Sequence, residues 1–138
     1  MKKFEQHKIV DAIQNFSLAL KTNPSFQEAL FKRGVCYELM EDYKNAIKDF
    51  TSILKIDSNN IQAHYNRGLA YREIGQYNKA IADFAEVIKS DPKNKLAYYN
   101  RALSKLLIDD IESACIDLSK SADLGIEQAS EIFRYTCK

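Results

Sequence analysis

Apolar residues recur at steps of three and four along most of this chain. In Ala29-Leu30-Phe31-Lys32-Arg33-Gly34-Val35-Cys36-Tyr37 and again in Tyr43-Lys44-Asn45-Ala46-Ile47-Lys48-Asp49-Phe50, polar residues fill the positions between them. That spacing places the apolar side chains on one face of an α-helix rather than on a strand. The pattern predicts helices of about three to four turns, arranged in pairs. Within a pair the break falls at Glu41-Asp42, Gly75-Gln76 or Asp109-Asp110. Between pairs it falls at Asn23-Pro24, Asp57-Ser58 or Asp91-Pro92, residue types that favour turns.

The breaks recur with one fixed period, and so do the residues between them. Gly34, Gly68 and Ala102 form one column, Ala46, Ala80 and Ala114 a second. Tyr43, Tyr77 and Ile111 form a third, and Phe50, Phe84 and Leu118 a fourth. A fixed period of about 34 residues signals stacked repeats, each too small to bury its own apolar face. The step from Gly34 to Ala46 is repeated from Gly68 to Ala80 and from Ala102 to Ala114. This predicts that the members of each pair face each other where the two helices of a hairpin approach most closely. Gly within a helix costs about 1 kcal/mol relative to Ala, so a packing reason is expected. The Phe16, Phe50 and Phe84 column is expected to present a knob from each second helix to the next repeat.

The runs Tyr65-Asn66-Arg67-Gly68-Leu69-Ala70-Tyr71 and Gly75-Gln76-Tyr77-Asn78-Lys79-Ala80-Ile81-Ala82-Asp83-Phe84, closed by Asp91-Pro92, make the chain resemble the tetratricopeptide repeat (TPR) family over nearly its whole length. His64 stands where the family often has Trp, and Lys105 where Tyr37 and Tyr71 predict Tyr, so the third repeat departs most. The resemblance implies an all-α, right-handed α-solenoid of antiparallel helix hairpins, about three and a half repeats in one domain spanning 1–138. The expected boundaries are a half-repeat at 9–26, complete repeats at 27–60, 61–94 and 95–128, and a capping helix at 127–136 with the apolar stripe Ile126, Ala129, Ile132 and Phe133. In the half-repeat, 9–21 is the second helix and residues 2–8 extend it. Its first helix would need residues before Met1, so the chain either starts with a stub or is a piece of a longer array.

In the family the first helices line a concave groove. The resemblance places Phe31, Lys32, Val35, Glu38 and Leu39 there, then Gln62, Tyr65, Asn66, Leu69, Arg72 and Glu73, then Leu96, Tyr99, Asn100, Leu103, Leu106 and Leu107. The expected peptide-binding residues are Phe31, Lys32, Tyr65, Asn66, Arg72, Tyr99, Asn100 and Leu103. An Asn both donates and accepts, so Asn66 and Asn100 could pair with an extended peptide backbone. The alternative is that they hydrate an open face. The aromatic column Phe31, Tyr65, Tyr99 either meets ligand or packs between first helices. The leucines of the third repeat make the groove more apolar there, unless the end helix covers Leu106 and Leu107. Relatives that grip the C-terminal carboxylate of chaperones do so at positions held here by Phe31, Val35, Asn66, Leu96 and Asn100. Only Asn66 fits, and a desolvated carboxylate without cations is poorly balanced, so a chaperone tail is not the expected ligand.

Arg33, Arg67 and Arg101 form a column, and Asp49, Asp83 and Asp117 form another at a constant step further on. They predict ion pairs within a hairpin, or from each Asp to the Arg of the following repeat. Lys plus Arg number 20 against 19 Asp plus Glu, a net charge of +1, so there is no basic excess to hold nucleic acid. No run approaches the roughly 18 apolar residues of a membrane span, and the first residues lack a signal-peptide core. Cys36, Cys115 and Cys137 are odd in number and have no CxxC spacing. They read as reduced thiols in a cytoplasmic protein, Cys36 and Cys115 as small core residues and Cys137 as exposed. His7 and His64 lie far apart, and no nucleophile elbow, phosphate loop or metal-ligand cluster is present. The expected function is non-catalytic, without cofactor or metal: a protein–protein interaction scaffold binding a peptide segment or helix. Two alternatives stand beside it. One is self-association, as a homodimer or swapped array, through an open half-repeat surface around Ile9, Ile13 and Leu20. The other is a regulatory fragment of a larger protein.

Overall fold

The computed structural model describes residues 2–138 and contains no strand among them. Eight helices follow in order: α1 (Lys3–Thr22), α2 (Gln27–Leu39), α3 (Tyr43–Ile56), α4 (Ile61–Glu73), α5 (Tyr77–Ser90), α6 (Lys95–Leu107), α7 (Ile111–Asp123) and α8 (Glu127–Thr136). The starts of α2, α4 and α6 keep the period of the sequence columns, as do those of α3, α5 and α7.

Local chemistry sets these boundaries, column by column. In the turns between hairpins, Asn23, Asp57 and Asp91 each accept the backbone N–H two residues on, at 3.2–3.3 Å. Such Asx turns compete with helix and end it. The next helix is then started by a side-chain cap: Asn60 accepts from Ala63 N–H and Asn94 from Ala97 N–H, both at 3.0 Å. The half-buried His64 ring nitrogen Nε2 lies 3.0 Å from the Ser58 carbonyl, so that nitrogen carries the proton. One period on, Tyr98 Oη donates to the Pro92 carbonyl at the same distance. Inside the hairpins, Glu41, Gly75 and Asp109 all adopt positive φ (58°, 79° and 60°). This left-handed residue reverses the chain after the first helix, and only glycine adopts it without a steric penalty.

The chain forms two compact units, the first ending at Ala70 and the second running from Tyr71 to Lys138. In the first, α1 packs on α2 and α2 on α3. The core there holds Leu20, Ala29, Leu30, Ala46, Phe50, Ile53 and Ala63. One sequence expectation changes here: Leu20, placed on an open surface, is 8% exposed and belongs to this core. The space left by Gly34 has a definite occupant. A Cβ at 34 would meet Phe50 Cε1 at 2.7 Å and Cζ at 2.9 Å. The Phe50 knob therefore closes over Gly34 of its own hairpin, because the missing Cβ is where the ring fits.

In the second unit α5 packs on α6, α6 on α7 and α7 on α8. Ala102, Leu118 and Ala129 are wholly buried, with Tyr99, Leu106, Ile126 and Ile132 packed around them. Cys115 and Cys137 form a disulfide, with Cα atoms 5.8 Å apart. This corrects the expectation of three reduced thiols, one of them exposed: both residues are half-buried, and the bond staples the end of α8 to α7. Cys36 is free, and burial pushes its thiol pKa up, as suits a small packing residue.

In the first and third hairpins the charge columns pair within the hairpin. Arg33 grips Asp49 through two bonds of 2.7 and 2.8 Å and also donates to Ser17 Oγ at 3.0 Å. Asp49 holds the Arg33 guanidinium pKa above its ordinary value. Arg101 grips Asp117 with the same two distances, and Lys105 Nζ adds a bond of 2.8 Å to the same carboxylate. The departure at Lys105 thus has a cause. In the first hairpin Arg33 lies over the Tyr37 ring, whereas in the third a second cation takes that place beside the buried Asp117.

Candidate functional site

The expected groove residues lie on α2, α4 and α6. On α2, Phe31 packs against Phe50, with ring centroids 5.8 Å apart, so its ring serves the core. Lys32 is exposed and paired with the exposed Glu28 at 2.9 Å, an arrangement worth little in water. Val35 lies against the core, while Leu39 remains 54% exposed. Between them sits Glu38. Its Oε1 is buried without a hydrogen-bond partner, and burial raises its pKa to about 7. Tyr65 and Asn66 on α4 are half-buried.

In the second unit the site is better defined. Arg72 Nη1 donates to Asn100 Oδ1 at 2.6 Å. Asn100 Nδ2 donates to the Leu96 carbonyl at 2.9 Å. The two partners dictate which end of the amide is oxygen, since one must accept and the other donate. Asn100 is only 7% exposed. Both ends of its amide are engaged inside the fold, the oxygen end on Arg72. Leu96 and Leu107 are 46% and 55% exposed, and Leu103 is half-buried. Positions 96, 100, 103 and 107 form one stripe of α6. Tyr99 and Leu106 turn instead toward the core shared with α8, so the end helix covers Leu106 and leaves Leu107 exposed.

The Arg72–Asn100 bond and the desolvated Glu38 are the features that sequence reasoning missed. Arg72 and Asn100 are 28 residues apart, six short of the repeat. A column-to-column comparison between successive first helices contains that signal. Two clefts in the second unit, one of about 280 Å³ by Gly75–Lys79 and Ile108, the other of about 560 Å³ between α7 and α8, contain none of the expected groove residues. Among the described residues no three His, Cys, Asp or Glu side chains group as a metal site would. No described helix is long and apolar enough to cross a membrane.

A family model described as Tetratricopeptide repeat matches residues 28–60 and 61–94. No curated protein sequence matches the chain. Among solved structures, MamA 41-end from Desulfovibrio magneticus RS-1 superposes with a TM-score of 0.88 at 21% identity, covering 96% of this chain and 76% of that one. The first TPR of Spaghetti (RPAP3), bound to the HSP90 peptide SRMEEVD, gives 0.75 at 21% identity, covering 80% and 89%. The TPR2B domain of yeast Sti1, in a pHsp70 complex, gives 0.73 at 22% identity, covering 80% and 94%. At these identities the likeness concerns the fold. Residues 28–60 and 61–94 are thus tetratricopeptide repeats, and the turn, cap and left-handed columns that recur with the same period, together with the all-α fold shared with solved TPR domains, give the chain a tetratricopeptide repeat fold.

Proposed function

We propose that this chain is a non-catalytic protein–protein interaction module that holds a peptide segment or helix against its first helices, through Phe31, Lys32, Tyr65 and Asn66 in the first unit and Arg72, Tyr99, Asn100 and Leu103 in the second. One observation carries the reading: α6 leaves Leu96 and Leu107 exposed on the stripe where Asn100 holds Arg72. Exposed large apolar side chains beside an ordered cation are what a partner would cover. Similar folds in RPAP3 and Sti1 bind chaperone peptides, which supports the class of function. Asn66 and Arg72 supply the polar contacts, with Asn100 as the residue that orients Arg72. Phe31 and Tyr99 shape the face from beneath.

The test is capture from the source cell with the wild-type chain and with an Asn66→Ala, Leu103→Asp variant, each bound protein identified by mass spectrometry. A partner lost in the variant, with helicity unchanged by circular dichroism, supports the reading. A partner held equally by both moves the site to another face.

A second reading, self-association, is favoured by α1, where Phe4, Val10 and Leu18 are 70%, 38% and 61% exposed. Mass that rises with concentration in light scattering, and no longer does so in Phe4→Asp, Leu18→Asp, would support it. A mass independent of concentration would remove it.

A further inference from the structure

We infer that the α6 face of the second unit selects a ligand carrying an internal Asp or Glu side chain flanked by apolar residues, with Arg72 as the residue that reads the acid. This deepens the proposed function and rests on it. The argument starts from what neutralises each arginine. Arg33 and Arg101 are each bonded twice to a buried aspartate, so each faces a carboxylate within the fold. Arg72 is bonded instead to the neutral amide of Asn100, and no carboxylate among the described residues pairs with it. A guanidinium carries five N–H donors in a rigid plane. With one used on Asn100, it still has an edge that matches the two oxygens of a carboxylate.

The cation is also held in place before any ligand arrives. Asn100 is nearly buried and is itself pinned to the Leu96 carbonyl, so the Arg72 side chain is ordered by a partner that cannot easily turn. Ordering in advance removes part of the entropy that binding would otherwise have to offset. The surroundings define the rest of the ligand. Leu96, Leu103 and Leu107 lie above and below Asn100 on the same stripe of α6, and two of them are largely exposed. Apolar residues on either side of one acid would cover these leucines and exclude water from the ion pair, which strengthens it. Of the five positions through which relatives grip a chaperone's terminal carboxylate, Phe31, Val35 and Leu96 are apolar here and Asn66 and Asn100 carry no charge; Arg72 is not among them. The site is therefore read from this chain's own residues, and an internal side chain is its ligand.

The test selects random short peptides, displayed with their C-termini fused so that no terminal carboxylate is free. Wild type, Arg72→Glu, Leu103→Asp and Asn100→Asp are the baits, each first checked for unchanged helicity. Asn100→Asp sets a carboxylate against Arg72 and cancels its charge, while giving up the bond to the Leu96 carbonyl. The expected result is Asp or Glu at one position between apolar residues in peptides chosen by wild type. Arg72→Glu should choose Lys or Arg there, and Asn100→Asp should show no preference. In solution, changing the selected acid to its amide should weaken binding to wild type by about tenfold or more. Peptides that depend on Leu103 but show no acid preference, or bind equally as the amide, would overturn the inference and leave the proposed function standing. Peptides indifferent to Leu103→Asp, or no selected peptides at all, would remove both.

Discussion

Replacing Gly34 by Ala sets two effects of known size against each other. The helix gains about 1 kcal/mol from removing a glycine at an interior position. Against that, the new Cβ would lie 2.7 Å from Phe50 Cε1 and 2.9 Å from Cζ. Carbon atoms rest at roughly 3.5–4.0 Å, so the ring or the helix must shift by about 1 Å. Phe50 is 0% exposed, in a core with Ala46, Ile53 and Ala63, and has no open side to move into. Overpacking of this kind costs about 1–3 kcal/mol. The clash wins, with a net loss of about 1 kcal/mol, and Gly34→Val should lose more. The third hairpin shows how the conflict is resolved within this chain. There the glycine column holds Ala102 and the phenylalanine column holds the smaller Leu118, both wholly buried in one cluster. Combining Gly34→Ala with Phe50→Leu recreates that pair in the first hairpin. Urea unfolding followed by far-ultraviolet circular dichroism on both single variants and the double variant measures the coupling. The double variant should retain about 1–2 kcal/mol more than the sum of the single losses predicts. A Gly34→Ala variant more stable than wild type, or a cycle that is additive, would refute the account of why glycine stands at 34.

Glu41 holds a left-handed turn that suits glycine, so Glu41→Gly should raise stability by about 0.5–1 kcal/mol in the same assay; a loss would mean that the glutamate side chain contributes there. Reduction should lower the melting temperature and raise the free thiol count, because the Cys115–Cys137 bond closes a separation of 22 residues and constrains the unfolded chain by roughly 3 kcal/mol; an unchanged melt would show that α8 docks without it. Asp117→Asn leaves Arg101 and Lys105 facing a neutral group in a nearly buried site, so a loss of about 3 kcal/mol or more is expected, measured against the single pairing removed in Asp49→Asn. The folded-state pKa of Glu38 is raised from 4.5 to about 7 by burial. The folded state therefore holds its proton more tightly than the unfolded state, and stability falls as pH rises from the lower value through the higher one. The advantage of Glu38→Gln over wild type should grow across that window and level off above it; a pH-independent difference would remove the assignment.

The columns that were legible are those encoded locally. A cap, an Asx turn or a left-handed residue acts within a few residues of itself, so the period of the sequence carries over directly into the helix boundaries. The Arg and Asp columns were legible as partners, although the spacing allowed two pairings and packing selected the one inside the hairpin. The site was less legible. Asn66 and Asn100 occupy one column and look equivalent in the sequence, yet Asn100 is nearly buried with both ends of its amide engaged, while Asn66 is half-buried. Identity within a column does not determine what the neighbouring first helix places beside it.

Periodicity alone was enough to establish the all-α repeat architecture, because helical spacing and turn chemistry are properties of short segments. Tertiary structure decided which way side chains turn between helices. It closed the Phe50 ring over Gly34 and drew Leu20 into the core. It also brought Cys115 to Cys137 across the Gly125 turn, where φ is +109°. These outcomes depend on how neighbouring helices meet and on the volume each residue leaves to the next. That volume is shared by residues far apart in the chain, and no local pattern records it.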